Sequence, residues 1–292
     1  MLEREEYVKS LVSSAKGEYE TVYFGGGSPG ICDLSPLLEV ISAKEWTVEL
    51  HPLDVSDELL SKLKRGGVNR ISMGVQSLDD DILDDMGRGY TFAQAEKAFF
   101  KVREYFDNAG IDIIIGYPGE REILKNQYER LKEWGFRHCS VYALQNERGL
   151  KNVVDDETVM NRIREMAKFL RGIGLRRYEI SNYAIPAYEC RHNLAVWRGE
   201  DYRGLGMGAC GREGLLRTKS GKVESVSMEF DEKERRLFRM RTYEGLDASG
   251  HPEWAQILNG KIELGLVIRE GEIYHLTERG MEVCDSILAE LA

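Results

Sequence analysis

The fold of this chain is decided by the stretch TVYFGGGSP, residues 21–29, in which a short β-rich run ends in three glycines, a serine and a proline. Further β-rich runs follow at 47–50, 70–75, 111–115 and 139–143, and helical patterns separate them. Strands that alternate with helices of this length form βαβ units and a parallel sheet. The sequence therefore predicts an α/β fold.

Polar residues recur where the predicted strands end. Glu49 closes the second run, Gln76 follows the third, Arg88 lies on the loop beyond it, and Asp112 begins the fourth. Parallel sheets and barrels bind ligands at the C-terminal ends of their strands. Any one of these residues alone is more often a surface or salt-bridged side chain. Their joint placement favours a polar ring around one ligand.

The glycine-rich turn at 25–29 has two interpretations. Glycine lets backbone amides approach a ligand because no Cβ stands in the way. Alternatively, the turn only connects a strand tightly to the next element. It matches neither G-x-G-x-x-G nor G-x-x-x-x-G-K-[ST], so the sequence carries no nucleotide-binding fingerprint.

Charge and cysteine content exclude several classes of protein. The chain has 40 Lys and Arg against 50 Asp and Glu, a net charge of -10, whereas nucleic-acid binding requires a basic surface. The five cysteines are scattered, which predicts neither a disulfide framework nor a metal site. No apolar run approaches the ~20 residues of a membrane span, and the charged start is no signal peptide. We expect a cytoplasmic protein without a transmembrane segment.

The strand–helix alternation stops after residue 184. A stretch rich in glycine, arginine and aromatic residues follows, then a hairpin pattern. From residue 231 the order helix, helix, strand, turn and last helix is typical of a small α+β winged-helix-like module. We predict a partial barrel at 1–186, an ordered loop and hairpin connection at 187–230, and the C-terminal module at 231–292.

Together these segments resemble the radical S-adenosylmethionine (SAM) superfamily, and more narrowly its oxygen-independent coproporphyrinogen III oxidase branch with the short HemW-type haem chaperones. The matching segments, in the family's order, are YFGGGSP, Glu-x-x-Pro at 49–52, NRISMGVQS, the Gly-Arg pair at 87–88, GIDIIIGYPGE, SVYAL, RYEISNYA, CRHNLAVW, DYRGLGMGA, RTYEGLD and HLTERG. The resemblance implies a partial (β/α)6 TIM-type barrel with SAM inside its strand ends.

The resemblance assigns nine residues to SAM. It places the methionyl amino and carboxylate groups on the turn, at Gly26, Gly27 and Ser28. It places the methionine or ribose parts against Glu49, Gln76, Arg88 and Asp112. It lines the adenine side with Ile114 and Ala143.

A haem site is the second expectation. A neutral imidazole can ligate haem iron, and nearby arginines can pair with propionates, although a lone loop histidine is more often simply hydrogen-bonded. In the light of the resemblance, His192, Asn193 and Trp197 are the haem candidates. The implied function is a haem chaperone that passes haem to an acceptor protein. The alternatives are oxidative decarboxylation of coproporphyrinogen III in porphyrin biosynthesis, or a truncated, catalytically inactive remnant.

Several positions depart from the family pattern. The family's C-x-x-x-C-x-x-C loop holds a 4Fe–4S cluster through three thiolates, whereas the first cysteine here, Cys32, follows the glycine-rich turn. We therefore expect this chain, as it stands, to lack the cluster ligands and the first barrel strand, and not to cleave SAM reductively. Tyr90 and Cys210 stand where the family has histidines, and Val196 replaces a tyrosine.

Overall fold

A computed structural model describes residues 4–145, 149–150 and 154–292. The chain divides into two compact units: residues up to 176 together with 181–189, and residues 177–180 together with 190–292. The three-part division at residues 186 and 230 stays a prediction.

The first unit alternates strands and helices. Its strands are β1 (Gly17–Phe24), β2 (Ile41–Leu50), β3 (Arg70–Gln76), β4 (Ala109–Ile115), β5 (His138–Ala143) and β7 (Asn182–Ala184), and β6 (Arg176–Arg177) lies at the division between the units. Its helices are α1 (Arg4–Ala15), α2 (Ser35–Leu38), α3 (Asp57–Arg65), α4 (Asp80–Asp85), α5 (Phe92–Tyr105), α6 (Lys125–Glu133) and α7 (Asp156–Gly172).

A curled seven-stranded sheet has the order β1-β2-β3-β4-β5-β7-β6. The strands β1 to β5 pair in parallel, and β7 runs antiparallel to β5. All five strands predicted from the sequence lie within these strands. The parallel arrangement confirms the predicted α/β class and carries the C-terminal ends of β1 to β5 to one edge of the sheet.

Local signals in the sequence explain where the helices begin. Ser56 caps α3 by accepting a hydrogen bond from the N–H of Leu59 at 3.2 Å. Thr91 and Gln94 form the predicted capping box at the start of α5. Side chains of β3 and β4 such as Met73 and Ile111 are completely buried, so the centre of the sheet is held by apolar burial.

The second unit contains two small antiparallel sheets. Its helices are α8 (Arg191–Trp197), α9 (Met228–Arg239), α10 (Pro252–Glu263), α11 (Glu278–Glu282) and α12 (Cys284–Leu291). Its strands are β8 (Cys210–Glu213), β9 (Leu216–Lys219), β10 (Lys222–Ser225), β11 (Leu246–Asp247), β12 (Val267–Glu270) and β13 (Ile273–Leu276), in the sheets β10-β9-β8 and β11-β13-β12.

One helix of this unit was not predicted from the sequence. The helix α8 lies in a stretch that the sequence predicted as an ordered loop. With seven residues, of which only Leu194 is buried, it is too short to show helical periodicity. The winged-helix-like description of the C-terminal module stays a prediction. Across the described ranges, no helix combines the length and apolarity needed to cross a membrane.

Candidate functional site

Glu49 at the end of β2 is held by two hydrogen bonds. The Tyr23 hydroxyl donates to Oε1 at 2.7 Å, and the Gly26 N–H donates to Oε2 at 3.1 Å. Parallel pairing of β1 with β2 brings these groups together at one edge of the sheet. The carboxylate is therefore fixed against the glycine-rich turn.

The glycines of this turn serve two different purposes. A Cβ on Gly25 would lie 2.8 Å from the Tyr23 ring and 2.9 Å from Cδ of Glu49. These two side chains therefore occupy the space beside Gly25. A Cβ on Gly26 or Gly27 would meet no atom within 4 Å, and Gly26 has a φ of +97°. The open space beside these two glycines is what close approach of a ligand requires.

Ser28 has a partner within the protein. Its hydroxyl donates to Oδ2 of Asp54, which lies in the 3-10 turn Pro52–Asp54 after β2. This bond ties the turn after β1 to the turn after β2. The predicted contact between Ser28 and the carboxylate of SAM stays a prediction.

Asp112 lies on β4 between two buried serines of the neighbouring strands. The Ser72 hydroxyl lies 3.1 and 3.2 Å from the two carboxylate oxygens, and Ser140 also hydrogen-bonds the side chain. Desolvation raises the pKa of Asp112 to about 6, and the charge of Glu49 adds to the rise, while the two serines and Arg70 oppose it. The acid is thus poised to titrate near neutral pH.

Strand register places the polar groups on one face of the sheet. Glu49 is opposite Ser72, Gly74 is opposite Asp112, and Asp112 is opposite Ser140. Register partners share a face, and alternate residues of a strand return to it. Two of the four residues predicted to form the polar ring, Glu49 and Asp112, therefore lie on the same face.

Gln76 and Arg88 are the other two members of that ring. Gln76 adopts a φ of +66° at the end of β3, and its amide nitrogen would lie 2.5 Å from a Cβ on Gly74. Arg88 is half-buried, and its Nε has no hydrogen-bond partner among the residues that the structure describes. An unpaired buried donor of this kind fits an acceptor supplied by a ligand.

The two residues predicted beside adenine do not share a face. Ile114 alternates onto the face of Asp112, and its register partner is Tyr142. Ala143 is exposed at the end of β5 and alternates to the opposite face, so its backbone rather than its methyl group is available on the site side. Their roles beside adenine stay predictions.

Sequence reasoning missed several polar residues of this face. Tyr23, Ser72 and Ser140 hold the two carboxyl groups. Asn182 on β7 is opposite Ser140 and 4% exposed, and its Oδ1 has no hydrogen-bond partner within the described residues. The signal available in the sequence was the alternation of side chains between the two faces of each strand. It identifies these residues only when the register of the strands is known.

The three haem candidates lie on α8 in the second unit. His192 and Asn193 are half-buried in its first turn. Trp197 donates from Nε1 to Oε2 of Glu179 at 3.1 Å, and the guanidinium of Arg241 stands 5.3 Å above its ring. His192 and Trp197 are five positions apart in the helix, which separates them by about 140° around its axis, so the two do not share a face.

The described residues contain no group of three or more His, Cys, Asp and Glu side chains arranged to hold a metal ion. Cys139, Cys190 and Cys284 are buried, Cys32 is half-buried and Cys210 is exposed. Burial raises the pKa of the Cys139 thiol well above its ordinary value, which is typical of a core cysteine.

Residues 2–124 match the model of the radical SAM superfamily. The chain is 30% identical over 240 residues to the heme chaperone HemW of Lactococcus lactis, covering 73% of this chain and 63% of that protein. It is 30% identical over 237 residues to the heme chaperone HemW of Bacillus subtilis, covering 73% and 62%. The chain thus spans about three fifths of these curated relatives.

A solved structure shares the fold. Coproporphyrinogen III oxidase (HemN) from Escherichia coli, described as a radical SAM enzyme, superimposes with a TM-score of 0.81 at 18% sequence identity. The alignment covers 98% of this chain and 82% of that one. At this identity the likeness concerns the fold alone, and it confirms the predicted partial-barrel class.

Proposed function

Because this chain carries a domain of the radical SAM superfamily, we propose that the C-terminal edge of its parallel sheet binds S-adenosylmethionine. The observation that carries the proposal is the pair of carboxyl groups, Glu49 and Asp112, on one sheet face. Desolvation is the largest cause of the raised pKa of Asp112, and the negative charge of Glu49 adds to it. A cationic ligand relieves this repulsion, and SAM carries both a sulfonium and an ammonium group.

The residues of the face fit such a ligand in three further ways. The open Cα atoms of Gly26 and Gly27 leave room for it. Asn182 Oδ1 and Arg88 Nε, which have no partner within the described residues, offer it an acceptor and a donor. A 4Fe–4S cluster beside SAM would supply the one electron needed to cleave its sulfonium C–S bond reductively. The described residues offer no set of cluster ligands, so we assign none.

The chain's own residues act on the ligand by orientation and charge. Tyr23 and the Gly26 N–H fix both oxygens of Glu49. Ser72 and Ser140 fix Asp112. Groups held in place before the ligand arrives lose little conformational entropy on binding.

Calorimetric titration with SAM tests this proposal. We expect binding by the wild-type chain, at least tenfold weaker binding by Glu49→Gln, and wild-type binding by the control Glu20→Gln. Glu20 is an exposed glutamate on β1 paired with Lys44, so its substitution changes the net charge by the same amount. No heat of binding in the wild type, or equal losses in both variants, would contradict a specific role of Glu49.

For the second unit we propose haem binding through His192, with transfer to an acceptor protein in the cytoplasm. The proposal is supported by the HemW relatives at about 30% identity and by the half-buried position of His192 in the first turn of α8. Asn193 is the proposed neighbour of the haem. Trp197 is proposed to anchor the helix through Glu179 and Arg241.

Titration with haemin tests this second proposal. A shifted Soret band is expected for the wild type and for His275→Ala, whose imidazole contacts the Tyr243 carbonyl elsewhere in the unit. The shift should be lost in His192→Ala. The alternative function, an oxidase, is favoured only by the fold shared with HemN.

A further inference from the structure

The end of β3 departs from regular strand geometry. The pairing of β3 with β4 shifts in register between Gly74 and Gln76, and Val75 has no register partner. Gln76 follows with a φ of +66°. Residues other than glycine rarely adopt this conformation, and it persists only where the surrounding structure holds it. The bulge therefore needs a support outside the strand.

Tyr90 provides that support. Pairing of β3 with β2 ends at Met73, and the Tyr90 hydroxyl donates to the carbonyl oxygen of Gly74 at 2.8 Å. It also lies 3.3 Å from the carbonyl oxygen of Val75, which accepts from the N–H of Ser77. The tyrosine is 5% exposed, and burial raises its pKa to about 12, so it stays a donor at neutral pH.

His51 connects Tyr90 to the turn after β2. Its ring packs edge-on against the Tyr90 ring, with 4.9 Å between centroids. Its Nδ1 accepts from the N–H of Leu53 at 3.3 Å, which leaves Nε2 as the donor, and the ring also hydrogen-bonds the backbone of Arg88. One imidazole thus links the loop that carries Arg88 and Tyr90 to the turn after Glu49.

We propose that Tyr90 and His51 are positioning residues of the ligand site, Tyr90 holding the bulge that presents Gln76 and His51 holding the loop that presents Arg88. Both residues act through their contacts with the protein, Tyr90 on the carbonyl groups of the bulge and His51 on the backbone of the loop. The identity of the ligand, S-adenosylmethionine, rests on the proposed function, whereas the support of the bulge does not.

Hydrogen exchange of the ligand-free chain tests the support of the bulge. In Tyr90→Phe, the amides of residues 74–77 should exchange about fivefold faster, the effect of one lost hydrogen bond. The melting temperature should change little. The control is Tyr19→Phe, which removes a hydroxyl bonded to the Ala15 carbonyl at 3.0 Å and should leave these amides unchanged. Unchanged exchange at 74–77 in Tyr90→Phe would overturn the role of Tyr90.

Calorimetry with SAM tests the consequence for the site. Tyr90→Phe should bind about fivefold more weakly than the wild type and Tyr19→Phe. His51→Asn should be weakened similarly, because asparagine keeps an acceptor for the Leu53 N–H but loses the ring. If the wild type binds and both site variants bind equally well, positioning is overturned while the proposed function stands. If the wild type does not bind, the proposed function falls, and hydrogen exchange alone decides the role of Tyr90.

Discussion

The hydroxyl of Ser72 on β3 lies between the two carboxylate oxygens of Asp112 on β4, 3.1 Å from one and 3.2 Å from the other. A hydroxyl has one proton, so it donates to one oxygen at a time. Ser140 supplies a further bond from β5. Despite both serines, desolvation keeps the pKa of Asp112 raised, which makes this acid the natural probe of the site.

The raised pKa predicts a measurable pH dependence of folding. Because the native state holds the proton of Asp112 up to about pH 6 and the unfolded state releases it near the ordinary value of 3.8, stability falls as the pH rises between these values. The loss is on the order of 3 kcal/mol. Urea unfolding from pH 3.5 to 7.5 should show a steeper fall in the wild type than in Asp112→Asn. Parallel pH curves for the two proteins would contradict the shift.

The same acid should release its proton when SAM binds. A cationic ligand favours the carboxylate, so binding near pH 6 should expel up to one proton, and binding at pH 8 almost none. Calorimetry in buffers of different ionisation enthalpy measures this number. In Asp112→Asn the release near pH 6 should disappear, while Asp33→Asn, at an exposed carboxylate paired with Lys62, should retain it.

Substitution by alanine should affect the free energy of unfolding at one glycine of the turn and not at another. Gly25→Ala drives a methyl group into the Tyr23 ring and Glu49, and should lower the free energy of unfolding by about 1–3 kcal/mol. Gly27→Ala meets open space, so urea unfolding should change by less than about 0.5 kcal/mol.

Ligand binding, unlike stability, should be sensitive to the substitution of Gly27. If SAM fills the space beside the turn, Gly27→Ala should weaken its binding by about tenfold although the fold is intact. Calorimetry with the same two variants provides the measurement. Unimpaired binding by Gly27→Ala would favour the simpler interpretation, in which the glycines only form a tight connection.

A buried ionic network should stabilise the second unit. Asp231 accepts from Arg212 and Arg217 at 2.5 Å and from Arg235 at 2.8 Å, and Arg212 is 3% exposed. Asp231→Asn removes the carboxylate that all three arginines share, while Glu234 still pairs with Arg212 and Arg217, and it should cost about 3 kcal/mol in urea unfolding. The control Asp285→Asn, at a largely exposed carboxylate, should cost less than about 1 kcal/mol.

The pH dependence of this network has the opposite sign to that of Asp112. Hydrogen bonds from the three arginines outweigh desolvation and hold the pKa of Asp231 below its ordinary value of 3.8. The stabilisation is therefore present above that value and is lost as the pH falls below it. Wild type and Asp231→Asn should converge in stability in acid, and a constant difference down to low pH would contradict the network.

The sequence was sufficient for the five parallel strands β1 to β5. Glu49 was proposed as a site residue because parallel strands end at a common edge, a rule that needs no register. Asp112 begins the predicted fourth strand, and it is the strand register that places it on the face of Glu49. Ser72 and Asn182 were not found, because their place on the site face depends on which residues lie opposite each other. The hydrogen bond from Trp197 to Glu179 was not predicted either, because the two residues are far apart along the chain and the short helix gave no periodic signal.

The order of the strands in the sheet determines when the site can form during folding. From β1 to β5, each strand pairs with the one that precedes it in the chain, so the sheet can grow from one side while the polypeptide is being synthesised. Glu49 and Asp112 flank β3 from opposite sides and meet only after β4 has docked. A ligand that contacts both carboxyl groups can therefore stabilise the fold through mass action only after β4 has docked.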